Sequence, residues 1–261
     1  WDPLILNGAV DLGIPISLIN MTIFAEAAAL VPYIDSSWHF ETIYDGTQPD
    51  LLSSLNNYGV STGIYGELFT LDYRLEYRLS KGLFKPAFYN TSYLSRKTEY
   101  FNELETYIAD PSLVEYQEIT MGIYGELSAN FFDAVTVGGG YLWPWTVGGG
   151  ALDFSADDYF FISAAIMPDV IPVVGLHGSV TYSRVGFAGS IADAVDNAAN
   201  FQILNADSIL TGELVYPVDS SLDIALQFAT ALSRNDDGQI IYTDGVPEIY
   251  YAMTVDTRIH F

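Results

Sequence analysis

Residues Glu248–Phe261, EIYYAMTVDTRIHF, alternate between two kinds of side chain. Ile249, Tyr251, Met253, Val255, Thr257, Ile259 and Phe261 take one set of positions. Tyr250, Ala252, Thr254, Asp256, Arg258 and His260 take the other. Successive side chains of an extended chain point to opposite faces, so this stretch is a strand with one apolar and one polar side. A tilted strand of about 9–11 residues crosses a bilayer, and this one is long enough to do so.

The same alternation recurs upstream. Pro3–Gly13 sets Leu4, Leu6, Gly8, Val10 and Leu12 against Ile5, Asn7, Ala9 and Asp11. Met21–Pro32 sets Met21, Ile23, Ala25, Ala27, Ala29 and Val31 against Glu26. In Gly59–Phe69 the outward set is Val60, Thr62, Ile64, Gly66 and Leu68, opposed by Ser61, Gly63, Tyr65 and Glu67. Tyr73–Ser80 opposes Tyr73, Leu75, Tyr77 and Leu79 to Arg74, Glu76 and Arg78. Further strands are expected at Glu115–Ala129, Ala134–Trp143, Asp158–Met167, Val173–Arg184, Ser208–Tyr216 and Leu222–Leu232, which makes eleven with the last. In Val173–Arg184, Val174, Leu176, Val180 and Tyr182 are expected outward, and His177, Ser179, Thr181 and Ser183 inward.

The connections alternate in length. Short ones are expected at Ile14–Asn20, Thr70–Asp72, Asn130–Asp133, Pro168–Pro172 and Pro217–Ser221. Long ones fall at Tyr33–Tyr58, Gly82–Leu113, after Trp143-Pro144-Trp145, at Val185–Ala206 and around Asn235–Gly238. Alternating short turns and long loops are the pattern of outer-membrane barrels. The expected fold is therefore all-β, an antiparallel transmembrane β-barrel of about twelve strands in one domain over residues 1–261. Such barrels have an even strand number. The twelfth strand is expected either upstream, as in the C-terminal part of a longer chain, or at Trp38–Tyr44 (WHFETIY).

Composition agrees. Aromatic residues make up 15 % of the chain and charged residues only 16 %, below the ~25 % usual in soluble domains. The 33 acidic residues outnumber the 9 basic ones, for a net charge of −24. Nucleic-acid binding needs Lys and Arg against phosphate and is excluded. There is no Cys, hence no disulfide and no thiolate chemistry. No apolar run approaches the ~18 residues of a membrane helix. The first residues show no basic n-region followed by an apolar core, so any signal peptide is expected to have been removed already. Tyr141, Trp143, Tyr216 and Tyr251, near strand ends, fit aromatic girdles at the membrane interface.

An internal echo runs through the strands. GIYGEL occurs at Gly63–Leu68 and again at Gly122–Leu127; TGEL at Thr211–Leu214 and IFAE at Ile23–Glu26 are looser copies. Each puts a Glu inward beside outward apolar residues. Repeated strand chemistry explains this more simply than a dedicated ligand motif does.

The terminal row Met253, Val255, Thr257, Ile259 and Phe261 resembles the C-terminal assembly signal of bacterial outer-membrane β-barrels, and the chain resembles those of the porin-like kind. Some longer envelope proteins carry such a barrel behind a periplasmic stalk. The resemblance implies location in the outer membrane of a Gram-negative-type envelope. It also implies ion transport or passive diffusion of small hydrophilic solutes. The implied partners are outer-membrane lipid, the barrel-insertion machinery and further copies of the chain, a trimer among the arrangements. No cofactor is expected.

The expected selectivity residues are Glu67, Glu76, Glu118, Glu126, Glu213, Asp223 and Asp256 with Arg74, Arg78 and Arg258; Glu26 and Arg184 complete the inward charge set. Lumen charge sets ion selectivity, and excess carboxylate favours cations. The competing reading is a lumen in which Glu and Arg pair and plug the hole, leaving a structural or anchoring barrel, since small barrels are filled by side chains. The few Lys and Arg argue against the anion selectivity of an Arg-lined constriction. A barrel hydrolase is a third class. It would need Ser and His toward lipid near the outer leaflet, and neither inward His177, beside Ser179, nor rim His260 is placed so; His39 lies in a loop. Loop acids Glu99, Glu103 and Glu105, Asp153, Asp157 and Asp158, and Asp236 and Asp237 are candidates for Ca2+ or Mg2+, with solvated loop charge the simpler account.

Overall fold

A computed structural model describes residues 4–16, 20–34, 37–38, 57–84, 102–103, 106, 118–148, 151–153, 158–168, 170–171, 175–196, 202–235 and 239–259. Eleven strands follow one another in a single antiparallel order: β1 (Leu4–Ile16), β2 (Met21–Ile34), β4 (Tyr58–Leu68), β5 (Leu71–Lys81), β6 (Ile119–Phe131), β7 (Val135–Gly148), β9 (Tyr159–Ile166), β10 (His177–Val185), β11 (Ser208–Asp219), β12 (Leu222–Leu232) and β15 (Ile249–Ile259). Each pairs with its sequence neighbours, and β1 and β15 are the two ends of the order. Short strands β3 (Ser37–Trp38) and β8 (Ala151–Asp153) pair with the long-loop ends of β2 and β7, and β13 (Tyr242–Thr243) and β14 (Val246–Pro247) form a separate small hairpin. The helix α1 (Phe187–Asp196) precedes β11. By internal contacts the chain forms two compact units. Unit 1 comprises Trp1–Gly66, Arg74–Tyr124 and Trp143–Ala156; unit 2 comprises Glu67–Tyr73, Gly125–Leu142 and Asp157–Phe261.

Register fixes which side chains share a face, because partners across a ladder point the same way. In unit 2, Val180 lies opposite Ala164 and Gly212, and Leu214 opposite Leu226, which lies opposite Val255. This apolar face carries Ile162, Val180, Leu214, Ile224, Met253, Val255 and Ile259, all exposed, Met253 at 69 %. Exposure is not confined to the end strand: Leu127 on β6 is 59 % exposed. In unit 1 the corresponding row includes Ile23, Val60, Leu75 and Ile123. Monomeric soluble proteins rarely expose large contiguous apolar patches. The buried apolar side chains Phe24, Tyr124, Val215 and Ala225 lie on the opposite, polar face.

The strand limits differ from the sequence expectation mainly at prolines. β1 runs through Pro15 to Ile16, where a turn was expected from Ile14. An end strand has one free side, so a residue without N–H is tolerated there. β7 continues through Trp143-Pro144-Trp145 to Gly148 instead of opening a loop. Pro144 falls between the ladder to β9, which ends at Leu142, and the ladder to β8, which begins at Thr146, so no bond is lost on that side. Pro217 likewise stays within β11, at a register irregularity. The turns are consequently tighter. Ala134 N–H bonds the Phe131 carbonyl at 3.0 Å across Phe132 (φ 58°) and Asp133 (φ 53°). Positive φ at both central residues is the type I′ geometry whose twist suits a hairpin.

Of the Trp38–Tyr44 option for a twelfth strand only Trp38 is described; with Ser37 it pairs with β2. The rest of that region lies outside the described residues, as do Val174, His39, His260 and Phe261. Val185–Ala206, expected as loop, contains α1.

Candidate functional site: two charged clusters on the polar face

In unit 1, β5 carries Arg74, Glu76 and Arg78 at every second position, which puts all three on one face. Glu76 is 2 % exposed, and its carboxylate is gripped from both sides: Oε1 accepts from Arg74 Nε, and Oε2 from Arg78 Nε at 2.6 Å. Each guanidinium also covers an aromatic ring. Arg74 stands 4.8 Å from the centroid of Phe24, and Arg78 3.9 Å from that of Tyr124. Such contacts add cation–π attraction to the ion pairs. Arg74 reaches on to Glu26 at 3.6 Å, and the Ser61 hydroxyl donates to the same carboxylate at 3.2 Å. The close approach of β4 and β5 that makes this possible depends on Gly63, since a Cβ there would strike the Leu75 carbonyl. Two acids thus face two arginines.

In unit 2 the balance is different. Arg258 on β15 makes a two-pronged bond to Glu213 on β11, Nη2 to Oε2 at 2.5 Å and Nη1 to Oε1 at 3.0 Å. Gln227 Nε2 donates to Glu213 Oε2 at 2.8 Å. Asp223 lies directly across the ladder from Arg258, and Asp256 lies two residues before it on the same face. Three acids surround one arginine. His177 lies opposite Val215 across the β10–β11 ladder, and its Nδ1 sits 3.1 Å from the Gly175 carbonyl. Ser179 lies opposite Glu213 across the β10–β11 ladder.

The other expected selectivity residues keep their face. Glu67 and Glu126 follow Tyr65 and Tyr124 by two positions on β4 and β6, and Glu118 immediately precedes β6. The echo has a common geometry: an apolar side chain, then an aromatic or Thr on the polar face, then a small residue on the apolar face, then Glu on the polar face. Phe24 and Tyr65 of two such copies pack at 5.7 Å.

Arg184 is a correction. It lies opposite Phe160 and Ser208, two positions beyond Tyr182, and so belongs to the apolar face rather than the inward charge set. It is 3 % exposed. Its Nη1 donates to the Gln202 carbonyl and its Nη2 to the Ser190 hydroxyl, both at 2.6 Å. Asp158, counted above among the loop acids, accepts from Ala188 N at the start of α1. Sequence reasoning missed Phe24, Ser61, Tyr124 and Gln227 as partners; the period-2 pattern marks their face but not which charge each meets. Among the described residues no group of three or more metal-ligating side chains is assembled, and no helix is long and apolar enough to cross a membrane.

No protein-family model matches the chain, and curated proteins give no significant match.

Proposed function

We propose that this chain forms a transmembrane β-barrel of a bacterial outer membrane and that the barrel passes small hydrophilic solutes, with a preference for cations. The observation that carries the membrane reading is the bare apolar row on strands with partners on both sides, such as Leu127 and Leu214. Alternation of an apolar lipid face with a polar lumen face is the barrel signature. In hydrocarbon every backbone group needs a partner, so the membrane reading requires that no strand edge be left unpaired there.

The cation preference rests on the acid excess around Arg258. With Arg184 moved to the other face, Glu26, Glu67, Glu76, Glu118, Glu126, Glu213, Asp223 and Asp256 oppose Arg74, Arg78 and Arg258 among the described residues. A carboxylate-lined wall raises local cation concentration.

The second reading is a plugged anchoring barrel. The buried Arg74–Glu76–Arg78 brace favours it, because those side chains fill space and neutralise one another. A barrel hydrolase gains no support from His177, which stands on the polar face.

Planar-bilayer recording of the purified protein decides. Stepwise currents that reverse on the cation side in a salt gradient are expected. A silent bilayer, with the protein inserted, rejects the pore in favour of the anchor. Extraction into detergent-free buffer as a monomer rejects the barrel itself.

A further inference from the structure

Two neighbouring turns of unit 2 carry phenylalanine where the backbone favours a different residue. The β4–β5 turn is built on Phe69 and Thr70, the β6–β7 turn on Phe132 and Asp133. Phe69 has φ 61° and Phe132 φ 58°. Glycine adopts such an angle freely and asparagine or aspartate often, but for a bulky side chain it is an outlier that costs stability. The turns lie side by side. Asn130 N–H donates to the Thr70 carbonyl at 3.4 Å, and the Ser128 hydroxyl donates to Asp72 at 3.3 Å.

The rings pack on too little of the fold to offset that strain. Phe69 is 88 % exposed and Phe132 97 %. Leu68, Leu71 and Phe131, which flank the two tips, are exposed as well. Strain kept at a site with exposed apolar side chains points to a contact outside the chain.

Charge says what kind of contact. Glu67, Asp72 and Asp133 are exposed around the rings. Residues 67–73 and 125–142 contain Glu67, Asp72, Glu126 and Asp133 and no Lys, Arg or His. A phospholipid surface, anionic or zwitterionic, is not attracted to carboxylates. A membrane belt would also mark the other turns, yet residues 17–20, 167–174 and 218–221, in the other short connections, include no aromatic. A second copy of the chain is a poor complement, because its 33 acidic residues outnumber its 9 basic ones. Aromatic side chains bordered by acids match a protein surface that sets an apolar pocket among Lys or Arg side chains.

We infer that the Phe69 and Phe132 turns form a docking site for a basic protein segment, which buries the two rings and pairs with Asp72 and Asp133. The inference does not depend on what the apolar wall meets.

The chain has no cysteine, so Thr70→Cys, next to Phe69, carries a single environment-sensitive fluorophore in protein reconstituted into neutral phospholipid vesicles. The probe is a synthetic peptide that alternates Lys and Leu, with Lys–Ser and Glu–Leu peptides as controls. Saturable binding of the Lys–Leu peptide is expected, about tenfold or more tighter than either control and weaker as salt rises. Phe69→Asn with Phe132→Asn should lower that affinity about tenfold or more. The same variant should unfold at higher urea, because asparagine suits these backbone angles better. Asp72→Asn with Asp133→Asn should weaken binding too. Unchanged affinity in the phenylalanine variant, or no saturable binding to the parent, overturns the inference. A lower unfolding midpoint in that variant also overturns it, since the rings would then serve the fold. Quenching of the peptide-free fluorophore by nitroxide-labelled lipid assigns the turns to the membrane and overturns it equally. Protein that stays in buffer without lipid fails the membrane reading above, and the same titration run there still decides this inference.

Discussion

Glu76 and Glu213 stand on the same face, each bonded to arginine, yet they are held in opposite ways. Glu76 is buried between two guanidiniums with rings behind them, and its cluster is charge-balanced. Glu213 keeps 29 % of its side-chain surface, and its cluster carries two carboxylates more than it has arginines. A buried pair resists separation because either partner left alone is a desolvated charge, whereas an exposed pair is screened by water and salt. The first cluster is therefore a brace and the second a charged wall. The motif Glu beside apolar residues does not distinguish them; the number of arginines within reach does.

The largest expected effect breaks the brace. Glu76→Leu leaves Arg74 and Arg78 facing each other without their shared anion and should cost about 3–5 kcal/mol, measured as the shift in the urea-unfolding midpoint of refolded protein in detergent or vesicles. Glu213→Gln, measured alongside, should cost no more than about 1 kcal/mol. Equal losses at the two positions would erase the distinction. Next comes the contrast between faces. Leu214→Arg on the apolar face should cost about 2–4 kcal/mol if it meets mid-bilayer hydrocarbon, while Thr211→Arg on the polar face should fold nearly as well as the parent. Equal tolerance would mean that both faces meet water. Selectivity then separates the clusters functionally. Asp223→Asn with Asp256→Asn should lower the cation-to-anion permeability ratio by roughly tenfold at low salt, the lower range for a focused field, and the loss should shrink as salt rises. Arg258→Gln should raise that ratio. Glu76→Gln should leave it near the parent value, since that carboxylate is already neutralised; a large change there would make the brace part of the conduction path.

The alternation made much of this legible before any coordinates. β12 occupies the expected Leu222–Leu232, and β9 and β15 agree to within a residue or two at each end. β10 begins at His177 rather than Val173, with Gly175 and Leu176 outside the strand. The limits at Pro15, Pro144 and Pro217 were misplaced because proline was taken as a strand breaker. A strand's free side, or a gap between two ladders, accepts it, and only pairing shows which side is free. α1 was hidden for a different reason. Its Phe187, Ile191 and Val195 recur at helical spacing, but Gly189 and Ser190 lower the helical propensity and the segment lies between two strands. Arg184 could have been placed from parity alone, since it follows Tyr182 by two; grouping by charge rather than by position hid it. The ion pairs were not legible, because which Glu meets which Arg depends on stagger between strands far apart in the chain, as with Glu213 and Arg258.

The smallest effect belongs to a carboxylate outside both clusters, at a turn. Asp219 closes the β11–β12 turn, where its Oδ1 accepts from both the backbone N–H and the hydroxyl of Ser221, each at 2.7 Å. The backbone bond first, then the hydroxyl, holds its carboxyl below the usual aspartate value. A depressed folded-state value means that the unfolded chain takes up the proton first. The turn's contribution is thus present above the unfolded value of about 3.9 and fades as the pH falls through the folded one. Asp219→Asn removes the charge and keeps the acceptor. Its unfolding midpoint should lie slightly below the parent's at neutral pH, and the two should converge as the pH drops below about 4. The side chain is fully exposed, so the gap should be far smaller than that for Glu76→Leu. A gap that widened toward acid would mean that the charge at 219 opposes the turn, and the hydrogen bonds from Ser221 would then owe nothing to ionisation.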